Sequence, residues 1–332
     1  MDKVKVAIVG YGNVGRGVLK AINANEDMEL VCIASRNPAR VQNEISSVPV
    51  VVMDDVAEWK KEYNVDVAIL CGGSKDDLPV QGPAMAKFVS TVDSFDNHSC
   101  IPQYFATMDE TTKAAGTVAA VSIGWDPGIF SLERTLASAF LPGSKAYGFY
   151  GLSEKGGLSM GHSDALRTIE GVVDARQYTH AIPASIDRIR NGENPTYSAG
   201  DMHWRECFVV VEEGADKAAI EAEIKAMPAY FEPYETTVNF ISQEELDSKY
   251  SGFPHDGCVI ASGTTGDASK ATIEYKCTWD SNPEATANVL VAHARAVARL
   301  LREGKSGAFT ILDIPPAYLS QFSQAELLKN FM

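Results

Sequence analysis

The stretch Val4-Lys5-Val6-Ala7-Ile8-Val9-Gly10-Tyr11-Gly12-Asn13-Val14-Gly15 decides the fold. Its first six residues form a short apolar, β-branched run, the pattern of a strand buried on both faces of a parallel sheet. The run enters a Gly-x-Gly-x-x-Gly turn with nothing inserted, and Val14, Val18, Leu19 and Ile22 then recur at helical spacing. Strand, glycine turn and helix in that order give the motif its meaning as a dinucleotide site. The first glycine allows the tight turn, the second lets the backbone approach a pyrophosphate, and the third lets helix pack on strand. The helix start offers unpaired N–H groups to the phosphates. Gly10, Tyr11, Gly12, Asn13 and Val14 are therefore expected around the cofactor.

Residues 29–34 read as a second strand, ending in Ser35-Arg36-Asn37. An NAD site normally carries a carboxylate here to hold the ribose 2′-hydroxyl. A hydroxyl and a guanidinium fit a 2′-phosphate instead, so NADP is the expected cofactor, held by Ser35, Arg36 and Asn37. Residues 66–71 form a further strand running into Gly72-Gly73-Ser74. This is either a ligand-facing turn at the carboxyl edge of the sheet or an ordinary β-turn. Residues 88–93 lead to Ser94-Phe95-Asp96-Asn97-His98, and residues 118–123 to Gly124-Trp125-Asp126-Pro127-Gly128. Strands alternating with helical segments predict a Rossmann-type, doubly wound parallel sheet of the α/β class. Cys71 to Ser74, Asp93 to Phe95, and Asp126 to Gly128 complete the expected cofactor set.

Beyond residue 123 the pattern changes. Runs such as Ala146-Tyr147-Gly148-Phe149-Tyr150, residues 206–211 and residues 271–277 are strand-like and separated by longer polar stretches. They predict a second, mixed α+β domain over residues 124–282, expected to bind the substrate, after a dinucleotide domain over 1–123. Glu154-Lys155-Gly156-Gly157, residues 191–195 and Ser262-Gly263-Thr264-Thr265-Gly266 read as loops. Asn282 is a plausible N-cap, with Pro283 at the first helical position, for a helix ending at Gly304. The segment 283–332 is expected to return to the dinucleotide domain.

Composition narrows the function. The 332 residues carry 29 basic and 44 acidic side chains, a formal charge of −15, which argues against nucleic acid or an anionic membrane as partner. No apolar run reaches the ~20 residues of a membrane span, and the first residues go directly into a strand rather than a secretory signal. Six scattered cysteines without a CxxC pair suggest a reduced, cytoplasmic compartment and no structural metal site.

The chemistry is suggested by Asp96 and Asp126, which follow successive strands at the carboxyl edge of one sheet. Two carboxylates there favour a cationic substrate group such as an ammonium, although each alone could cap a loop. At this point Gly10-Tyr11-Gly12-Asn13, Ser35-Arg36, Val92-Asp93-Ser94-Phe95-Asp96-Asn97-His98, Gly124-Trp125-Asp126-Pro127-Gly128 and Gly161-His162-Ser163-Asp164-Ala165-Leu166-Arg167 resemble the meso-diaminopimelate dehydrogenase family. Gln177-Tyr178-Thr179, Phe253-Pro254-His255 and residues 306–310 extend the resemblance to nearly the whole chain.

The resemblance implies NADP-dependent oxidative deamination at the D-centre of meso-2,6-diaminopimelate, giving L-2-amino-6-oxopimelate and ammonia. In reverse it is a reductive amination that supplies lysine biosynthesis. It further implies Asp96 and Asp126 at the reacting centre, with Trp125, Tyr150, Met160 and Gly161 lining the pocket. Thr179, Arg205, His255 and Asn282 would surround the distal L-centre, where Arg205 clamps the carboxylate, and the protein would be a homodimer. The plainer readings are that His255 orders a loop, that His162 and Asp164 cap a helix starting Ser163-Asp164, and that Arg205 stacks on its neighbour Trp204 at the surface. Tyr150 stands where some members of the family carry Trp, and Glu154 to Gly157 adds length beside the pocket. A D-amino-acid dehydrogenase of broader specificity or a non-catalytic NADP sensor are the alternatives. A homoserine-type enzyme would need a Glu-Lys-Pro block, and a dihydrodipicolinate reductase a His-His block; neither is present.

Overall fold

The strand β1 (Val4–Val9) sends Val4, Val6 and Ile8 into one apolar cluster and Ala7 and Val9 into another, so both its faces are buried. The computed structural model describes residues 3–228 and 230–332. After β1 come α1 (Asn13–Asn23), β2 (Met28–Ser35), α2 (Pro38–Glu44), β3 (Val50–Val52), α3 (Val56–Glu62) and β4 (Val67–Leu70). Then follow α4 (Leu78–Ala86), β5 (Ser90–Asp93), α5 (Ile101–Ala115), β6 (Val118–Ala120) and α6 (Ile129–Phe140). The next stretch holds β7 (Ala146–Tyr150), β8 (Gly157–Ser159), α7 (Met160–Leu166), β9 (Val172–Ala181), α8 (Pro183–Arg190) and α9 (Ala199–Met202). It continues with β10 (His203–Val211), α10 (Lys217–Ala226), β11 (Thr236–Phe240), α11 (Gln243–Lys249), β12 (His255–Thr264) and β13 (Lys270–Trp279). The chain closes with α12 (Asn282–Arg302), β14 (Gly307–Phe309), α13 (Pro316–Leu319) and α14 (Gln324–Phe331).

Two compact units result, one of residues 1–132 and 283–332, the other of 133–282. The division falls beyond the expected residue 123 because Ile129 and Leu132 pack against the core of the first unit. That unit is a seven-stranded parallel sheet in the order β14-β6-β5-β4-β1-β2-β3. Reversal of direction beside β1 makes the carboxyl edge of β1 and β4 the place where such sheets take ligands. One face is covered by apolar residues of α1 and α12, including Val18, Ile22, Leu290, Ala294 and Val297. Arg295 of α12, 3% exposed, is tied to Asp27 by a paired ion bridge of 2.5 and 2.7 Å. The strands β3 and β14 were not foreseen: each is three residues long, too short to carry a period of its own, and exists because an edge was free to pair. The C-terminal segment thus contributes a strand as well as helices to the first unit.

The second unit holds a four-stranded sheet, β11-β10-β9-β8, and a three-stranded antiparallel one, β13-β12-β7. Within the former, β10 is antiparallel to β9 and parallel to β11, the mixed character expected. Two local expectations are corrected. Ser262, Gly263 and Thr264 lie within β12, and Gly157 begins β8, so these residues are not loop; Ser262 faces Thr272 across the hairpin with hydroxyls 2.7 Å apart. The helix α7 begins at Met160, capped by Ser159, and not at Ser163-Asp164. Asp164 instead pairs with Arg167 one turn on.

Candidate active site

The first unit builds the nucleotide half. Gly10 leaves β1 with φ +89°, and a Cβ on Gly15 would sit 2.3 Å from the Gly10 carbonyl oxygen, so helix and turn touch backbone to backbone. Gly12 is the N-cap of α1 and offers no side-chain cap, while a Cβ added to it would meet nothing within 4 Å. Bare N–H groups facing open space are what a pyrophosphate requires. Asn13 and Val14 open the helix, and the Tyr11 ring carries the Arg16 guanidinium 4.9 Å from its centroid.

At the end of β2 no carboxylate is present. The Ser35 hydroxyl accepts the Asn37 N–H at 3.1 Å, and the Arg36 side chain, 74% exposed, reaches Asp77 at 3.1 Å. Asn37 spends its side chain on capping α2, accepting the Arg40 N–H at 3.2 Å, so its contribution to the expected cofactor set is to hold that helix. An exposed guanidinium beside a hydroxyl fits a 2′-phosphate, and the donor set as a whole fits NADP.

Loops after β4 and β5 are tied together by Ser74. Its hydroxyl accepts the Asp96 N–H at 3.2 Å and donates to the Ser94 carbonyl at 3.4 Å. Gly73 N–H donates to Asp77 at 3.0 Å, so Gly72-Gly73-Ser74 is anchored at both ends. Cys71 precedes it, its thiol pushed up to about 12 by burial. Asp93 and Phe95 are 0% and 2% exposed. Their sequence expectation was cofactor contact, yet the Asp93 carboxylate is fully engaged by Phe95 N–H, Ser122 N–H and the Tyr104 hydroxyl at 3.0, 3.1 and 2.9 Å. It braces the loop that carries Ser94 and Asp96. Asp96 itself is exposed, and Asp126 is half-buried in the turn Gly124 to Gly128, which Trp125 closes by stacking edge-on to Phe130 at 5.1 Å. A cis bond joins Asp126 to Pro127. β5 and β6 are neighbours, so the two carboxylates issue from adjacent strands at one sheet edge.

The second unit builds an amino-acid half. Residues of one strand face alternate with those of the other. Gln177 and Thr179 on β9 therefore share a face with His203 and Arg205 on β10, and Arg205 is the direct cross-strand partner of Thr179. Arg205, 7% exposed, donates to the Thr179 hydroxyl and lies 4.0 Å from the Tyr234 ring centroid. Trp204 points the other way and stacks on His180 at 4.0 Å, so the surface Trp204–Arg205 pair does not exist. Among the described residues no carboxylate pairs with Arg205, and its Nε, also buried, has no hydrogen-bond partner.

Three imidazoles surround this cation. Burial first, and then the Arg205 charge, push His162 and His203 down to about 3, and burial pushes His255 down to about 4. Each ring is neutral at neutral pH, leaving Arg205 the charge that defines the cluster. His162 bonds Ser159 at 2.7 Å at the start of α7, beside Met160 and Gly161. The Tyr150 N–H donates to His203 Nε2 at 3.0 Å, its ring stacks on His203 at 5.2 Å, and its hydroxyl accepts from Arg134 at 2.9 Å. His255 Nδ1 faces the Asp256 carbonyl at 3.1 Å, and because a carbonyl can only accept, the proton sits on Nδ1. Asn282 joins through its N–H, which donates to the Phe253 carbonyl at 2.8 Å. Sequence reading missed Asp77, Tyr104, His203, Tyr234 and Asp256. Only His203 left a usable signal, two residues before Arg205 on one strand. Among the described residues no group of three or more His, Cys, Asp or Glu could hold a metal, and no helix is long and apolar enough to cross a membrane.

Comparison with known proteins finds matches for two stretches of the chain and for the chain as a whole. Residues 124–281 match the family described as Diaminopimelic acid dehydrogenase C-terminal domain, and residues 4–91 match Oxidoreductase family, NAD-binding Rossmann fold. The Meso-diaminopimelate D-dehydrogenase of Ureibacillus thermosphaericus is 49% identical over 332 residues, 100% of each chain. Among solved structures, the C. glutamicum DAP dehydrogenase in complex with DAP is similar at TM-score 0.93 and 43% identity, covering 100% of both chains. An engineered D-Amino Acid Dehydrogenase bound to NADP+ is similar at TM-score 0.88 and 42% identity, covering 99% of this chain and 100% of that one.

Proposed function

The chain belongs to the meso-diaminopimelate D-dehydrogenase family, and from that premise we propose how its residues carry out NADP-dependent oxidative deamination of meso-2,6-diaminopimelate. The D-centre loses a hydride from its α-carbon and a proton from its nitrogen, and water converts the resulting imine into L-2-amino-6-oxopimelate and ammonia. When bound, NADP+ supplies the acceptor for that hydride.

The observation that carries this reading is the buried Arg205 guanidinium with no carboxylate partner among the described residues. A buried charge is costly unless paired, so the site calls for an anion from outside. The distal carboxylate of the substrate fits, gripped by Arg205 and the Thr179 hydroxyl. His255 is neutral with its proton on Nδ1, so Nε2 is an acceptor suited to the distal ammonium, with Asn282 beside it. Asp126 accepts from the amino group of the reacting D-centre, and Asp96 adds negative potential there. Trp125 in the first unit, and Tyr150, Met160 and Gly161 in the second, supply the apolar surface of each unit's part of the site. Holding the far end fixes which α-hydrogen can leave, and orientation of this kind supplies much of a two-substrate rate. A homodimer formed through the second unit and a cytoplasmic location belong to the same reading.

Arg205→Met tests it. Removing one partner of a buried charge pair costs about 2–5 kcal/mol, so KM for meso-diaminopimelate should rise roughly 30-fold or more. NADP+ binding, followed by fluorescence titration, should be unchanged. An unaltered KM in the folded variant would refute the grip.

A further inference from the structure

Asp256 follows His255 in sequence and is 4% exposed. Its carboxylate is met by two N–H groups of one short segment, Leu152 to Oδ1 at 2.6 Å and Ser153 to Oδ2 at 3.0 Å. Its main-chain carbonyl accepts two further bonds, from Gly151 N–H at 2.9 Å and from His255 Nδ1 at 3.1 Å. A single residue therefore holds the head of the strap 151–157 and also orients the imidazole of His255. The strap's other end is fixed where Leu158 N–H donates to the Pro254 carbonyl at 2.9 Å, one residue before that same histidine.

Between these anchors the strap lies in direct contact with rings. A Cβ on Gly156 would come within 2.6 Å of the His180 imidazole, and one on Gly157 within 2.6 Å of the His255 imidazole. Gly157 also pairs in register with Thr179. The strap is thus packed against two of the four residues read above as holding the distal end, while Ser153, Glu154 and Lys155 at its tip are exposed. Loose backbone there would leave His255 free to turn, and a ring turned away no longer meets the distal ammonium, which weakens binding.

We propose that Asp256 is a positioning residue for distal recognition: its carboxylate clamps the strap against His255 and Thr179 while its carbonyl fixes the His255 ring. Selectivity for the L-configured far end then depends on a side chain that acts through another. The assignment rests on the distal role of His255 and Thr179 given above.

Asp256→Asn keeps the volume but presents an NH2 to one of the two strap N–H groups, so one anchor is lost. The expected result is a rise of roughly tenfold or more in KM for meso-diaminopimelate, with kcat changed far less. The preference for the meso over the DD isomer, which carries the wrong far centre, should fall in parallel. KM for NADP+ should not move. A merely structural aspartate would lower the melting temperature without splitting KM from kcat or relaxing the isomer ratio. A folded variant whose KM and isomer ratio stay within about twofold of wild type overturns the assignment. Should Asp256→Asn fail to fold, Gly156→Ala displaces the strap from its other side and is expected to raise the same KM; a folded Gly156→Ala at wild-type KM overturns it equally. A wild-type protein that does not turn over meso-diaminopimelate would overturn the functional reading, and this assignment with it. A working wild type with an indifferent variant overturns the assignment alone.

Discussion

Asp93 and Arg205 are buried charges answered in opposite ways. Arg205 has no carboxylate partner among the described residues, whereas Asp93 is answered within the chain by two N–H groups and the Tyr104 hydroxyl. Burial still outweighs those bonds and raises its pKa from 3.8 to about 6. The folded form then binds the proton more tightly than the unfolded chain does. The stability this group contributes is therefore fully present below about pH 4 and is lost as pH rises through about 6. In Asp93→Asn the amide oxygen can accept both N–H groups and the amide nitrogen can donate to Tyr104, with no charge to bury. The melting temperature of the variant minus that of wild type should therefore increase between about pH 4 and pH 7. A difference independent of pH would contradict the assignment of Asp93 as a buried, proton-binding brace.

At the scale of elements, the turn from β1 to α1 separates folding from binding. The Gly12 Cβ position is open space in the free protein, so Gly12→Ala should fold and melt as wild type does. The added methyl occupies the place where a pyrophosphate approaches, and NADP+ affinity should drop roughly tenfold or more by calorimetric titration. Unchanged affinity would show that the phosphates lie elsewhere. This element was legible in the sequence because its chemistry is local: a β-branched run, three glycines at fixed spacing and a helical period within nineteen residues, 4 to 22. The edge strands β3 and β14 were not legible, since three residues show no period and their existence depends on distant partners. The start of α7 was misplaced for a related reason: Ser159 and Ser163 are both acceptable caps in sequence, and only pairing of Ser159 with Gln177 in the sheet selects the first. In the amino-acid half, Thr179 and Arg205 could be named from the resemblance. Tyr234, which lies against Arg205, could not, because only the fold brings it there; Asp256 stands next to His255 in sequence, but a main-chain carbonyl that orients a ring leaves no sequence signal.

At the scale of the whole molecule, the unit of residues 133–282 is inserted between two segments of the nucleotide unit. The nucleotide unit supplies backbone donors and an exposed arginine for phosphates, together with Asp96 and Asp126 at its sheet edge. The inserted unit supplies one buried cation among neutral imidazoles. Diaminopimelate carries an ammonium and a carboxylate at each end, so a protein that reads both ends can tell the meso from the DD isomer, and one that reads only the reacting end cannot. The direct test is the initial rate of NADPH formation by the wild-type protein with the meso, LL and DD isomers and with D-alanine. The account predicts turnover of the meso form, none of LL, which has no D-centre, and kcat/KM on DD and D-alanine lower by roughly a hundredfold or more. Comparable rates on DD or D-alanine would contradict it, leaving the deamination chemistry in place but removing the distal grip at Arg205 as the source of selectivity.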